Sequence, residues 1–442
     1  MMDKPKIGIL SLGCPRNLVD SQSVLARLNL KKYKIVDMDR ADIGIVNTCA
    51  FIQDTKIESI DAILELIDLK KRGKLKKIIV YGCLTQRYQD KLRRDLPEVD
   101  AFVGRISFPA YHNNGIPSTT GKAGSLLVLD DRRENHNLKE FSLTPRHYAY
   151  LKICEGCINN CSYCIIPKIK GRFTSLDIDS ILGKVEILDK RRISELNIIG
   201  QDITGYGIDL YKDARLVGLL RKIVKKIKNI GWLRLLYLYP SRVTDELLEL
   251  IRDEPRICKY IDLPIQHIND RILRLMNRDT TKNDILRLIA KIREKIPDVA
   301  IRTSLIVGFP SEQDEEFQEL VKFVEDVKFE RLGTFIYSRE EETKAYSLKK
   351  QIPQKTKLER FNTIMSLQKN ISQEVNRRFL GRIMDVLVEE RERDCFLGRS
   401  QYDAPEVDGL VYINSQNKLN SGDFIKVKIT GTLEYDLIAE EI

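Results

Sequence analysis

The sequence predicts a three-part α/β chain: an N-terminal parallel α/β domain, a central, partly closed (β/α)6 barrel and a small C-terminal β-barrel. Three observations carry that expectation. Short apolar runs alternate with amphipathic helical patterns through the first hundred residues, and again, in six repeats, from Tyr148 onward. Beyond Phe379 the pattern changes to short alternating strands with no helix between them. With 442 residues, 43% of them hydrophobic and 31% charged, the chain is long enough for two or three domains with sizeable cores.

In the first part, strands are expected at 6–12, 42–46 and 77–81, each a short apolar run of the kind used in a buried parallel sheet. Helical patterns follow, as from Leu18 to Leu28 and from Ile57 to Leu69. Each strand runs into a cysteine: Gly13-Cys14, Asn47-Thr48-Cys49 and Gly82-Cys83. Open α/β sheets bind ligands at the carboxyl edge of their strands, so parallel pairing would gather Cys14, Cys49 and Cys83 on one rim. A single cysteine is more often buried apolar filler. The same position three times over points to ligation, and three thiolates can hold a cubane iron–sulfur cluster while leaving its fourth iron open. From about Arg105 to Arg146, Asn113-Asn114-Gly115, Pro117 to Gly121 and Asp130 to Glu134 read as turn and charge punctuation in a connector, with a strand pattern at 125–129.

In the barrel, strands are expected at 150–154, 195–199, 233–239, 260–264, 300–307 and 331–337. Helical patterns lie between them at 216–227, 245–252, 284–296 and 312–327, with Thr244 and Ser311 where N-caps belong. Chemistry should fall at the carboxyl rim, where Gly200-Gln201-Asp202, Tyr239 to Arg242, Ile265-Gln266-His267 and Gly308 to Glu312 supply donors and acceptors. Directly after the first strand comes Cys157-Ile-Asn-Asn-Cys161-Ser-Tyr163-Cys164, a C-x3-C-x2-C loop. Its three thiolates again leave one position open, as catalytic metal sites do and saturated structural ones do not. Cys154 reads as a small buried residue closing the strand, although it brings the local count to the four thiolates of a zinc site. No second cysteine pair follows, as a zinc ribbon would require.

After a helical pattern at 355–379, strands at 383–389, 409–413, 424–429 and 436–440 suggest an OB-like barrel. The formal charge of the chain is +10, but residues 381–442 hold 7 Lys/Arg against 13 Asp/Glu, a balance of −6 that leaves +16 on the rest. An acidic module repels phosphate and attracts a basic protein. Acting only as solubilising charge is the plainer reading. The apolar run at the N-terminus is too short for a signal peptide and no stretch reaches the ~18 apolar residues of a membrane span. Nine cysteines, an odd number, then indicate reduced thiols and a cytoplasmic location.

The C-x3-C-x2-C loop with Tyr163 before its last cysteine resembles the radical S-adenosylmethionine (SAM) enzymes, whose barrels are TIM-like. Joined to the Cys14/Cys49/Cys83 triad, it resembles the methylthiotransferases of that superfamily. Ser11 to Ser21, Asn47 to Ile52, Gln201 to Gly207, Tyr237 to Pro240, Tyr260 to His267 and Phe335 to Glu341 are similar to the ribosomal-protein-modifying members. The stretch Gly398 to Gly409 resembles their TRAM domain. The chain departs from that pattern at Gln22, where Glu is expected, at Ser311, where Gly is usual, and across Arg172 to Leu176, where an Arg normally stands near 176.

The resemblance implies two [4Fe-4S] clusters, one on each cysteine triad, with SAM chelated at the open iron of the Cys157/Cys161/Cys164 cluster. Tyr163 would lie by the adenine, and Gln201 with Asp202 by the methionine end, although Asp202 reads equally as a helix N-cap. His267 reads as a hydrogen-bonding rim residue, and no catalytic side chain is assigned. The implied reaction adds a methylthio group to the β-carbon of an aspartate in protein twelve of the small ribosomal subunit, with a reducing electron donor as further partner. General acid–base help, worth ~10²–10⁴-fold, cannot break such a C–H bond, so a cofactor-derived radical is required. Methylthiolation of tRNA adenosine is the alternative within the class, disfavoured by the acidic tail. A non-catalytic metal- or RNA-binding scaffold is the alternative outside it. The expected division is 1–105, a linker at 106–146, the radical SAM barrel at 147–372 and the TRAM domain at 373–442.

Overall fold

The computed structural model describes residues 4–28, 30–104 and 142–442. The strand pattern at 125–129 and nearly all of the expected connector lie outside the described residues. Two compact units emerge. One comprises the chain up to Thr144 with Cys154–Ile158 and Cys164–Leu176, the other Pro145–Ile153, Asn159–Tyr163 and Asp177–Ile442.

The first unit is built on a five-stranded parallel sheet of β1 (Lys6–Ser11), β2 (Lys34–Ile35), β3 (Ile43–Thr48), β4 (Lys77–Gly82) and β5 (Ala101–Val103), in the order β2-β1-β3-β4-β5. The edge strands β2 and β5 are too short to leave a periodic signal. Alternation places Ile7, Ile43, Ile45 and Ile79 on one face, against Val24, Leu25 and Leu28 in and beside α1 (Pro15–Arg27). On the other face Val46, Ile78 and Val80 meet Ile63, Leu66 and Ile67 of α2 (Gln53–Lys71) and Leu84 and Leu92 of α3 (Cys83–Asp95). Burial on both faces, at ~1.5–3 kcal/mol for each large aliphatic side chain, explains why these strands read as continuous apolar runs. Following β6 (Tyr148–Lys152), which belongs to the second unit, β7 (Cys154–Glu155) pairs antiparallel with β8 (Thr174–Ser175) in the first. The short helix Ile166–Lys170 adds Ile169 to the α2–α3 core, next to Ile165.

The second unit contains β6, β9 (Glu195–Ile199), β10 (Trp232–Leu235), β11 (Tyr260–Asp262), β12 (Ala300–Val307) and β13 (Arg331–Ile336). They form two parallel three-stranded sheets, β10-β9-β6 and β11-β12-β13. A bridge between Leu233 and Ile257 and a 3.0 Å bond from the Leu238 N–H to the Asp262 carbonyl join β10 to β11. Six strands thus stand in chain order, as a partial (β/α)6 barrel requires. Thr244 caps Asp245–Asp253 by accepting from the Leu247 N–H. Ser311, expected to cap the next-but-one long helix, does not. It sits at φ 64° with its N–H donating to the Lys350 carbonyl. That helix starts at Asp314, with Gln313 at the cap and Glu316 closing a capping box.

The tail is a closed barrel, β14 (Ile383–Glu392), β15 (Cys395–Ser400), β16 (Val411–Asn414), β17 (Phe424–Thr432) and β18 (Leu437–Glu441), in the order β14-β15-β16-β18-β17. Only four of its strands were legible in sequence. Gly398 and the buried Arg399 break the apolar alternation of β15, yet both are demanded there. A Cβ on Gly398 would come within 2.5 Å of Val386, and Arg399 is an ion-pair hub.

That hub belongs to a set of pairs between tail and barrel. Arg399 donates to Glu195 at 2.5 Å and to Glu389 at 2.6 Å, and Glu195 also accepts from Arg234 at 2.7 Å. Asp403 pairs with Arg331, Asp408 accepts from Tyr260 and lies 3.5 Å from Arg302, and Glu406 accepts from Tyr148 at 2.7 Å. Each barrel partner lies within the first three residues of its strand. The tail's 398–409 segment is therefore fastened to the amino ends of the barrel strands, and four of the tail's carboxylates have partners within the molecule. Those on the β14–β15 hairpin, Glu390, Glu392 and Asp394, remain exposed.

Candidate functional site

The three N-terminal cysteines follow strands β1, β3 and β4 and stand at one end of the sheet. Gly13, at φ 86°, is packed so closely that a Cβ there would lie 2.8 Å from the Cys49 Cβ and 3.0 Å from its Sγ. Asn17, buried in the first turn of α1, ties the three turns together. Its amide nitrogen donates to the Leu12 and Thr48 carbonyls, and its Oδ1 accepts from Cys83 Sγ at 3.8 Å. Asn47 donates to the Asn17 carbonyl at 2.8 Å, and the Ser59 hydroxyl bridges the backbone N–H and carbonyl of Cys49.

Two cations serve this cluster of thiols. Arg16 donates to Cys14 Sγ at 3.4 Å. Lys170, almost fully buried, is paired with Asp20 and Glu155, each at 3.0 Å, and its charge acts on Cys14 and Cys83. Burial pushes all three thiols up, taking Cys83 to about 12 and raising Cys49. At Cys14 the charge and hydrogen bond of Arg16, a backbone N–H and Lys170 together overcome burial and bring the thiol down to about 7. Alkylation of the cluster-free protein with iodoacetamide should therefore have its Cys14 rate midpoint near pH 7, and Arg16→Gln should move it upward. A wild-type midpoint at the ordinary ~8.5 would refute this electrostatic account.

The C-x3-C-x2-C loop is strapped into the second unit at its middle. The Ser162 N–H donates to the Met276 carbonyl at 2.8 Å, its hydroxyl to Leu275 at 2.6 Å, and its carbonyl accepts from the Ala345 N–H at 2.8 Å. Tyr163 packs on Ile272, Met276, Phe309, Tyr337 and Ala345. Arg278 reaches Cys161 Sγ with Nη1 at 3.9 Å. Cys154 is fully buried as expected, but it does not close the barrel strand, which ends at Lys152; it opens the separate strand β7.

Gln201 and Asp202 stand beyond the carboxyl end of β9. Both amide atoms of Gln201 are buried without a hydrogen-bond partner, a demand that a polar ligand would meet. Asp202 caps the 3-10 turn Ile203–Gly205 through the Thr204 N–H at 3.0 Å. Its other oxygen accepts from Asn159 at 2.9 Å and from Arg242. His267 is fully buried. Its Nδ1 accepts from the Asn269 N–H at 3.0 Å, so Nε2 carries the proton toward Glu312 at 3.3 Å, and Arg360 pairs with the same carboxylate. Among the described residues no three His, Cys, Asp or Glu side chains are gathered as one metal ion would need. A cubane takes each thiolate on a separate iron and asks for a wider spread.

Sequence reading missed Arg16, Asn17, Lys170 and Arg278. The first two lie inside the Ser11–Ser21 stretch, where polar residues between apolar ones carried a signal. Lys170 and Arg278 carried none.

Three known families match the chain in succession: the uncharacterized protein family UPF0004 over residues 6–104, the radical SAM superfamily over 151–324 and the TRAM domain over 380–442. Along nearly its whole length the chain is 45% identical to the ribosomal protein uS12 methylthiotransferase RimO of Clostridioides difficile (strain 630), covering 98% of each. The chain belongs to the RimO family. The RimO of Geobacter sulfurreducens is 46% identical, with 99% of each chain covered. Among solved structures, the radical SAM methyltransferase TsrM of Kitasatospora setae superposes with a TM-score of 0.53 at 14% identity, over 76% of this chain and 75% of that one, a likeness of fold alone. RimO-family membership makes the chain a radical SAM enzyme of the methylthiotransferase type, dependent on iron–sulfur and SAM. No described helix is long and apolar enough to cross a membrane.

Proposed function

We propose that the chain adds a methylthio group to the β-carbon of an aspartate in ribosomal protein uS12, using two [4Fe-4S] clusters, one held by Cys14, Cys49 and Cys83 and the other by Cys157, Cys161 and Cys164. The observation that carries the reading is 45% identity to a uS12 methylthiotransferase over 98% of both chains, with all six cysteines present. The expected division, 1–105, 147–372 and 373–442 around a linker, is kept as part of it.

When bound, SAM and its cluster supply the radical that takes a hydrogen atom from an unactivated carbon. The rest falls to the protein. Arg16 and Lys170 favour the anionic, metal-binding form of Cys14. Gln201 offers one donor group and one acceptor, both unsatisfied, to the amino-acid end of SAM. Asp202 holds Asn159 and Arg242 around the loop, and Tyr163 is anchored to the barrel by its apolar contacts. The tail's balance of 7 Lys/Arg against 13 Asp/Glu over residues 381–442 suits a basic protein better than a nucleic acid.

Reconstituted enzyme with SAM and reductant should add the mass of one methylthio group, less one hydrogen, to uS12 or small subunits and leave tRNA unmodified. Modification of tRNA adenosine with uS12 untouched would overturn the reading.

A further inference from the structure

We infer that Arg278 is a positioning residue that sets the reduction potential of the cluster on the C-x3-C-x2-C loop, by donating an N–H···S hydrogen bond to Cys161. The inference rests on the proposed ligand role of Cys161. Arg278 follows the six-residue helix Asp270–Leu275, to which Ser162 ties the loop, and it is only 9% exposed. Three contacts fix its guanidinium. Nη2 donates to the Pro264 carbonyl at 2.7 Å, the plane lies 4.3 Å from the centre of the Tyr239 ring, and Nη1 points to Cys161 Sγ.

What singles Arg278 out is its missing counter-ion. Arg242, on the same tyrosine ring at 4.4 Å, is neutralised by Asp202. No carboxylate pairs with Arg278 among the described residues, and its Nε has no partner. An arginine cannot shed its proton, so a buried guanidinium needs an anion close by. Here the group it faces is a sulfur, and a cluster thiolate meets that need. Reduction adds one negative charge to the cluster. A fixed cation donating to a ligand sulfur stabilises the reduced form more than the oxidised one and raises the potential. The planar fork of arginine suits simultaneous donation to a carbonyl and a sulfur, whereas lysine offers a single point charge.

The test uses full-length protein carrying Cys14→Ser, Cys49→Ser and Cys83→Ser, reconstituted anaerobically so that only the loop cluster is read by EPR-monitored redox titration. With Arg278→Gln, the reduced-to-oxidised ratio at a fixed potential should fall at least tenfold, about 59 mV for a one-electron couple. Arg278→Lys should recover part of the loss. An unchanged potential in an iron-loaded Arg278→Gln protein overturns the inference, as does a changed SAM affinity with the potential unmoved. Should Arg278→Gln fail to retain iron, Arg278→Lys decides: a lowered potential supports the inference and an unaltered one overturns it. If the protein with Arg278 intact takes up no loop cluster, the ligand reading fails, and this inference with it.

Discussion

Cys161→Ala is expected to reduce cleavage of SAM to background while leaving the enzyme folded and about half loaded with iron. The backbone around Cys161 does not depend on the thiol, because Ser162 secures it through three hydrogen bonds to Leu275, Met276 and Ala345. Loss of the side chain should therefore be local. Two thiolates cannot retain a cubane with an exchangeable iron as three can, so iron should drop from about eight to about four per chain, the remainder being held by Cys14, Cys49 and Cys83. The readouts are iron content and the release of 5′-deoxyadenosine under dithionite. Cleavage at the wild-type rate in this variant would rule out the loop as the SAM site, and total loss of iron would mean that the N-terminal triad cannot hold a cluster alone.

The largest stability effect should come from Glu195→Gln. Glu195 is fully buried between Arg234 and Arg399, and one carboxylate answers two guanidiniums. The amide keeps the shape and removes the charge, leaving Arg234 uncompensated in a dry setting and Arg399 with Glu389 alone. Breaking a buried pair in this way costs ~3–5 kcal/mol. The exposed pair of Asp385 and Lys426 offers the control, and Asp385→Asn should cost no more than ~1 kcal/mol.

The same group gives an acid limb with a defined sign. Burial raises the Glu195 pKa, but Arg399 and Arg234 outweigh it, and the carboxyl sits below its ordinary value. A depressed folded pKa contributes stability that is present above the unfolded value of about 4.5 and lost as pH falls through the folded one. Urea midpoints taken across that window should converge for wild type and Glu195→Gln as the pH drops. Parallel curves would contradict the role given to Glu195.

Which parts of this protein were open to sequence reading follows from where its signals are local. Strand periodicity placed β1, β3 and β4 because they are short apolar runs packed on both faces. It placed the six barrel strands because apolar residues recur through them even where Glu195, Arg234, Asp262 and Arg331 interrupt the run. Edge strands β2 and β5, of two and three residues, are too short to leave a trace. In the tail, β15 was lost for the opposite reason: its Gly398 and Arg399 answer to Val386 and Glu195, which local patterning cannot reveal. The charge count of the tail did not show that Glu389, Asp403, Glu406 and Asp408 have partners within the molecule, Arg399, Arg331, Tyr148 and Tyr260.

By itself, then, the sequence determined the order of α/β sheet, partial barrel and β-barrel, the rim on which the three N-terminal cysteines stand and the open C-x3-C-x2-C loop. All of these are set by period and spacing along a few residues. Only the tertiary structure decided which charges surround those thiols, that Asp202 serves as a cap, and that the tail is bolted to the barrel through Arg399. Lys170 and Asp20 are 150 positions apart and Arg399 and Glu195 are 204, and a buried charge acquires such a partner only when the chain has folded around it.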